Sequence, residues 1–360
     1  MRVLWTTQVV DPEHPLLGFS HSWISGLAQL VDTVDVIALS ASGYDLPSNV
    51  TVRSLGKETG APRWLRFLRY QWLAVTLVLR KKVDVVFVQQ TEINVLLLAP
   101  YALVQRIPIV IFKAHSQSLR PSLKVATKVV KKAVTSTATA FPIDTPKKLV
   151  IGQGIDVARF TLPTGGHLQE GRMRIVSVGR LSPIKRYDLQ IEAARLLAET
   201  HGRDSFSFHV YGSWDYPGYK EHLNELRGLI ARFGLEDVFH FEGAVSFSEI
   251  PSIYHSADLV LHTCESLSLD KAVLEAMASG VPVVAPFEPY GPLLGPFAEQ
   301  LSLAALDAGV IAGKLGTLLE LDPDRVTEMG EGLREVIVRD HSVEHLTRRL
   351  VEVFQEVTGR

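Results

Sequence analysis

The residues best able to do chemistry in this chain sit in two polar loops, each following a short apolar run. The first lies in residues 175–188, IVSVGRLSPIKRYD, where the apolar run ends at Val178, Gly179 permits a tight turn, and Arg180 and Lys185 precede the next helical pattern. Two cations at a strand's carboxyl end, beside a helix N-terminus, fit a diphosphate. Arginine offers a planar fork of donors and lysine a compact point charge. A solvated loop would also carry such residues, since Lys and Arg are usually exposed. The second loop lies in residues 261–285, LHTCESLSLDKAVLEAMASGVPVVA, which read as strand, polar loop, helix, glycine and strand. Ser266, Ser268 and Asp270 are candidate helix N-caps. Glu275, five residues after Asp270, suits the hydroxyls of a ribose, or alternatively a partner for Lys271 at the i, i+4 spacing.

Other residues of suitable type are scattered. In the first half, the loop DPEHPLLGFSHSWISGL holds Gly18, whose missing side chain would allow a close backbone approach or simply a turn. His21 in the same loop faces an acceptor or caps the following helix. His115 follows the apolar run IVIFKA, at the strand end where sites of open α/β folds sit. Gly152-Gln-Gly154 lacks the third glycine of a dinucleotide fingerprint, so a nicotinamide cofactor is not expected. Asp322-Pro-Asp324 reads as a helix cap, His341 and His345 lack a third metal ligand, and Cys264 reads as a small buried residue.

The elements that must position these groups alternate along the chain. Short β-branched runs at residues 3–5, 34–39, 50–54, 83–88, 107–112 and 135–138 enclose helical periodicity at 22–31 and 64–79. That is βαβ alternation, hence a mostly parallel sheet. PTGGHLQEG at 163–171 has two adjacent glycines and almost no apolar residue, and reads as a linker. The alternation then restarts at 174–178 and runs to 281–285. We expect an α/β chain of two doubly wound Rossmann-like domains, residues 1–162 and 173–340 around a linker at 163–172, with a final helix at 341–360. Two such domains facing each other would leave a cleft at the carboxyl ends of their strands.

The 360 residues carry a net charge of −2, but the total conceals a split. Residues 1–160 hold 19 Lys and Arg against 10 Asp and Glu, and the remaining 200 hold 18 against 29, so the halves are +9 and −11. The single cysteine excludes an internal disulfide and Cys-rich zinc modules. The longest apolar stretches, 72–79 and 93–104, fall short of the ~20 residues that span a bilayer, and the N-terminal run turns polar at Thr6. A cytoplasmic protein is expected, peripheral on the inner membrane face where its basic half meets anionic lipid. The basic segment at 63–82, RWLRFLRYQWLAVTLVLRKK, sets Trp64, Leu65, Leu68 and Trp72 at helical spacing beside Arg63, Arg66 and Arg69. It fits an interfacial face, or a helix packed on the sheet with its arginines solvated. Lys124, Lys128, Lys131 and Lys132 add to the same charge. No nucleic-acid partner is expected.

The ordered motifs VGRL…K…D and E…LEAMASGVPVV, with VIGQGIDVARF, HVYGSWD and FHFEGAVSFSEIPSIYHSADLVLHT between and around them, resemble the donor half of the retaining glycosyltransferases of family 4, which have the GT-B fold. The resemblance covers residues 150–285. It implies a sugar moved from a nucleotide-diphosphate sugar to an acceptor hydroxyl, in glycolipid, polysaccharide or other glycoconjugate synthesis, without an obligatory metal or other cofactor. It also implies a sugar or lipid-linked acceptor on the N-terminal side. Arg180 and Lys185 would stabilise the leaving diphosphate, Glu275 would hold the ribose, and the base would lie near Ala244 and Val245. Gly18 would approach the donor, and His115 would contact its sugar. One position departs from the pattern: Leu267, eight residues before Glu275, replaces the first Glu of the family's E-x7-E motif. Glu265, with a two-residue bulge, is the preferred substitute and Asp270 the second. Outside this reading stand an inverting GT-B transferase, a sugar phosphorylase, and a non-catalytic sugar-nucleotide-binding subunit.

Overall fold

The computed structural model describes residues 1–80, 82–114, 119–163 and 171–360. It divides into two compact units, Met1–Asp156 with Asp340–Arg360, and Val157–Arg339.

The first unit is built on β1 (Arg2–Val10), α1 (Phe19–Ala28), β2 (Thr33–Ala41), β3 (Val50–Ser54), α2 (Arg63–Leu73), β4 (Val85–Gln89), α3 (Glu92–Gln105), β5 (Ile109–Phe112), α4 (Pro121–Val129), β6 (Lys132–Thr135) and β7 (Lys148–Val150). Its strands form one parallel sheet in the order β3-β2-β1-β4-β5-β6-β7. β4 (VVFVQ) and β5 (IVIF) are buried throughout, as strands covered on both faces must be. Alternate side chains enter different cores. Trp5, Phe87 and Phe112 join Trp23 of α1 on one face. Leu4, Val86 and Ile111 join Tyr70 and Leu73 of α2, Leu98 of α3 and Leu123 of α4 on the other.

Local readings and structure differ where the signal was short or ambiguous. The first strand, read at 3–5, extends over Arg2–Val10, because Thr6 and Thr7 are buried within it. The sixth strand lies at Lys132–Thr135 rather than 135–138. β7 has three residues, two of them exposed, and gives no periodic pattern. The helix expected over 64–79 changes to π-helical turns at Ala74–Leu79, where the run AVTLVL crowds β-branched side chains.

The second unit comprises β8 (Met173–Val178), α5 (Tyr187–His201), β9 (Phe206–Tyr211), α6 (Tyr219–Phe233), β10 (Phe239–Gly243), α7 (Ile250–His255), β11 (Leu259–Leu261), α8 (Lys271–Ala278), β12 (Val283–Pro286), α9 (Phe287–Leu294), α10 (Ala298–Leu301), β13 (Ser302–Leu303), α11 (Ala308–Leu319) and α12 (Pro323–Asp340). The strand order β10-β9-β8-β11-β12-β13, all parallel, reverses direction between β8 and β11. Open α/β sheets bind ligands outside the strand ends at such a switch point.

The chain then returns to the first unit as α13 (Val343–Thr358). Its Ser342 cap accepts the His345 N–H at 3.2 Å. Val343, Leu346, Leu350 and Phe354 form one apolar stripe in the α1-side core, where the Phe354 ring meets Phe87 edge-on.

Candidate functional site

The chemistry-bearing loops of the second unit leave the two strands that flank the switch point, β8 and β11. Glycines let the backbones there approach. A Cβ at Gly212, just past β9, would lie 1.8 Å from the Gly179 carbonyl oxygen. One at Gly179 would lie 3.1 Å from Lys185 Nζ, so the ammonium sits directly over the strand end. The two loops are tied together. Gln190 Nε2 donates to Thr263 Oγ1 at 2.8 Å, Thr263 Oγ1 donates to the Lys185 carbonyl at 2.7 Å, and the Glu265 N–H donates to the Ile184 carbonyl at 3.1 Å.

Within this frame Lys185 forms an ion pair with Asp270, which is also the N-cap of α8 and accepts the Ala272 N–H at 3.2 Å. Burial alone would lower the lysine, but the Asp270 charge overrides it and holds the ammonium above its usual range. Burial alone would raise Asp270, and Lys185 holds it well below. The Asp270 N–H donates to Tyr290 Oη at 2.9 Å, and that hydroxyl lies 3.2 Å from His262 Nε2. Burial, with the Lys185 charge adding to it, pushes His262 down to about 3, so the ring is neutral.

One turn into α8, Glu275 is buried, and burial lifts its carboxyl to about 7 despite Lys271 nearby. Burial likewise lowers Lys271 to about 8, against the pull of Glu275 and Asp270. The folded protein therefore keeps the Glu275 proton at pH values where an ordinary glutamate, near 4.5, has lost it. This part of the stability falls as pH rises through that window. Glu275→Gln, which has no such proton to lose, is expected to gain melting temperature relative to the parent as pH rises from the lower to the upper end. An unchanged difference between the two proteins at both ends would overturn the buried titration.

The other expected residues are dispersed. Arg180 is exposed beyond β8, its guanidinium 5.6 Å from the centre of the Tyr216 ring. Glu265 is 48% exposed at its side chain and pairs with Arg186 at 2.7 Å, while Arg186 also holds Asp188 at 2.9 Å. Leu267 is exposed. Ala244 and Val245 follow β10, next to Gly243, whose own φ of 93° requires a glycine. In the first unit Gly18 precedes α1 with ordinary helical angles, φ −55° and ψ −31°. The His21 ring nitrogen Nε2 lies 2.6 Å from the Asp45 carbonyl. His115 lies outside the described residues.

The sequence reading passed over three groups. His262 follows β11 at the strand end and could have been found by the logic applied to His115, whereas Tyr290 carries no local signal. The third is the pair Lys113–Glu92, 2.9 Å apart and buried beyond β5 and β4, with Ser122 Oγ donating to the same carboxylate at 3.2 Å. Burial works to raise Glu92, and the Lys113 hydrogen bond overrides it and keeps the carboxyl below its usual range. Among the described residues no group of three or more His, Cys, Asp or Glu is spaced to hold a metal ion. Asp322 instead accepts the Asp324 N–H at 2.9 Å beside α12.

Residues 162–293 match the family model of glycosyl transferases group 1. A mannosylfructose-phosphate synthase of Agrobacterium fabrum is 34% identical over 115 residues, 32% of this chain and 25% of that protein. A D-inositol 3-phosphate glycosyltransferase of Salinispora arenicola is 29% identical over 238 residues, 61% of this chain and 51% of that protein. The chain thus matches between a quarter and about half the length of these curated relatives. The Anabaena Alr3699/HepE structure in complex with UDP and glucose superposes with a TM-score of 0.76 at 18% identity, covering 99% of this chain and 100% of that one. Its fold is GT-B, the two-Rossmann architecture expected from the alternation. The chain therefore has the GT-B fold, and its second unit carries a glycosyl transferases group 1 domain.

Proposed function

We propose that the protein is a retaining glycosyltransferase that moves a sugar from a nucleotide-diphosphate sugar to an acceptor hydroxyl in glycoconjugate synthesis. The observation that carries this reading is the juxtaposition, at the β8/β11 switch point of a group 1 domain, of Lys185 at one strand end with the Asp270-capped N-terminus of α8. Such a corner suits a diphosphate. A fixed ammonium and open helix N–H groups face the charge that builds on the departing phosphate oxygen, and being preorganised they need not reorient as it builds. Arg180, exposed after β8, adds a second cation. Glu275 holds the ribose hydroxyls, and the main chain at Ala244 and Val245 meets the base. No obligatory metal is needed to offset the leaving charge. The sugar or lipid-linked acceptor is handled by the first unit, with His21 on the acceptor side, while the backbone at Gly18 approaches the donor.

Melting-temperature screening against UDP-, GDP-, ADP- and CMP-sugars is the direct test, because a ligand of the folded state raises apparent stability. The uridine compounds are the first choice, given UDP in the Anabaena structure. With the stabilising donor, transfer and an unchanged anomeric configuration by NMR are expected. Arg180→Ala is expected to reduce kcat/KM by roughly tenfold or more. Inversion, or transfer to inorganic phosphate, would indicate another GT-B activity. The Arg186–Glu265 pair, together with leucine at 267, favours one second reading, a nucleotide-sugar-binding subunit without catalysis. Donor binding with neither hydrolysis nor transfer would select it.

A further inference from the structure

The two tryptophans of α2 face outward. Trp64 and Trp72 are each 65% exposed, with Leu68 and Phe67 completing one apolar stripe at i, i+3, i+4 and i+8, while Tyr70 and Leu73 take the sheet-facing side. Of the two readings of this segment, the packed one therefore holds only for the opposite face of the helix. Arg63 and Arg69 flank the stripe on its two sides at helical spacing.

The neighbouring helices extend the pattern. α2, α3 and α4 all pack on the same sheet face, as their shared core with Leu4, Val86 and Ile111 requires. Along that layer α4 exposes Val125, Lys124 and Lys128, the approach to it exposes Leu119 and Arg120, and the end of α3 exposes Leu103, Val104 and Arg106. The sequence here is free of acids over long stretches. Residues 59–83 hold six Lys and Arg and no Asp or Glu, and residues 93–143 hold seven and none. The layer on the other sheet face differs, because α13 mixes Glu344, Glu352 and Glu356 with Arg348 and Arg349. Lys113 among these is buried on Glu92 and Lys132 pairs with Glu356 of α13, while the exposed cations of α2, α4 and the end of α3 lie in the same layer that exposes the tryptophans.

We propose that the α2–α3–α4 face of the first unit docks on an anionic lipid bilayer, with Trp64, Phe67, Leu68 and Trp72 in the headgroup region and the surrounding arginines and lysines on lipid phosphates. Tryptophan, with an apolar ring and one N–H donor, partitions to that boundary. Cations near an anionic leaflet add attraction that acid residues would cancel. A protein partner is a poorer match, since lysine is depleted at the cores of protein interfaces. The attachment is peripheral, since among the described residues no helix is long and apolar enough to cross a membrane. This inference is independent of the reaction, and its test uses no sugar donor.

The full chain is mixed with vesicles of phosphatidylcholine alone, or with about a third phosphatidylglycerol, and floated. Binding is expected to the anionic vesicles only, with release at high salt and a blue shift of tryptophan emission. The Trp64→Ala/Trp72→Ala protein is expected to keep its melting temperature, since both rings are exposed, and to lose on the order of tenfold or more in partitioning. Lys124→Ala and Lys128→Ala should each cost roughly fivefold. Equal binding to neutral vesicles, no binding to either, or self-association that the double tryptophan variant abolishes would overturn the proposal. The last outcome would assign the face to a second copy of the chain.

Discussion

Lys185→Ala is expected to lower kcat/KM for sugar transfer by roughly 10²–10³-fold, the usual cost of removing one preorganised charge-stabilising group. It should also destabilise the second unit by about 1–3 kcal/mol, because Asp270, its side chain 31% exposed and still capping α8, loses only the lysine charge. The two losses separate in the variant Lys185→Ala/Asp270→Asn. Asparagine still caps α8 and carries no charge, so melting temperature should recover while transfer stays low. Recovery of both would mean that the lysine serves only to neutralise Asp270, and the assignment of the leaving diphosphate to Lys185 would fall. The pH dependence follows the same pair. Asp270 is held below its ordinary value, so its share of the stability is present above about 3.8 and is lost as pH falls through the depressed folded-state value. At neutral pH both members are charged, and a bound diphosphate would meet an ammonium that has no need to gain a proton.

Gly212→Ala is expected to have the largest effect of any single methyl addition at the site. Its Cβ would stand 1.8 Å from the Gly179 carbonyl oxygen and 2.6 Å from that carbonyl carbon. Both obstacles are backbone, so the turns after β8 and β9 must separate. Overpacking of this kind costs about 1–3 kcal/mol or more. Here the displaced turn also carries Arg180 and supports Lys185, so binding of a nucleoside diphosphate, read by calorimetry, should weaken together with the melting temperature. Gly228→Ala in α6 is the matched control. Its added methyl meets nothing within 4 Å, and alanine favours a helix interior by up to about 1 kcal/mol. If Gly212→Ala melts and binds like the parent, the close approach of the two turns has no functional weight.

Much of the fold was legible because its signals are local. A buried parallel strand such as VVFVQ or IVIF announces itself by an unbroken apolar run, and α13 does so by the spacing of Val343, Leu346, Leu350 and Phe354. Short or exposed strands such as Lys148–Val150 and Ser302–Leu303 have too few residues to establish a period. The site was legible in part for the same reason. Arg180 and Lys185 follow β8, Asp270 caps α8 and Glu275 lies one turn inside it, so their types and positions could be read together as candidates. Tyr290, which receives the Asp270 N–H from 20 residues away, had no neighbouring pattern to mark it.

By itself the sequence determined two α/β halves, a basic first half and acidic second half, and the ordered motifs of a glycosyl transferases group 1 domain in two loops. Only the tertiary structure decided which of those loop residues meet. Lys185 and Asp270 are 85 residues apart and pair because β8 and β11 are neighbours in the sheet. Glu265 turns to Arg186, which lies in the left-handed region at φ 52°. Periodicity likewise could say that α2 has two faces, but not that Trp64 and Trp72 occupy the one left uncovered. The physical reason is common to all three. Spacing along a chain reports which residues share an element's face, whereas strand order and backbone direction decide what that face or loop end is set against.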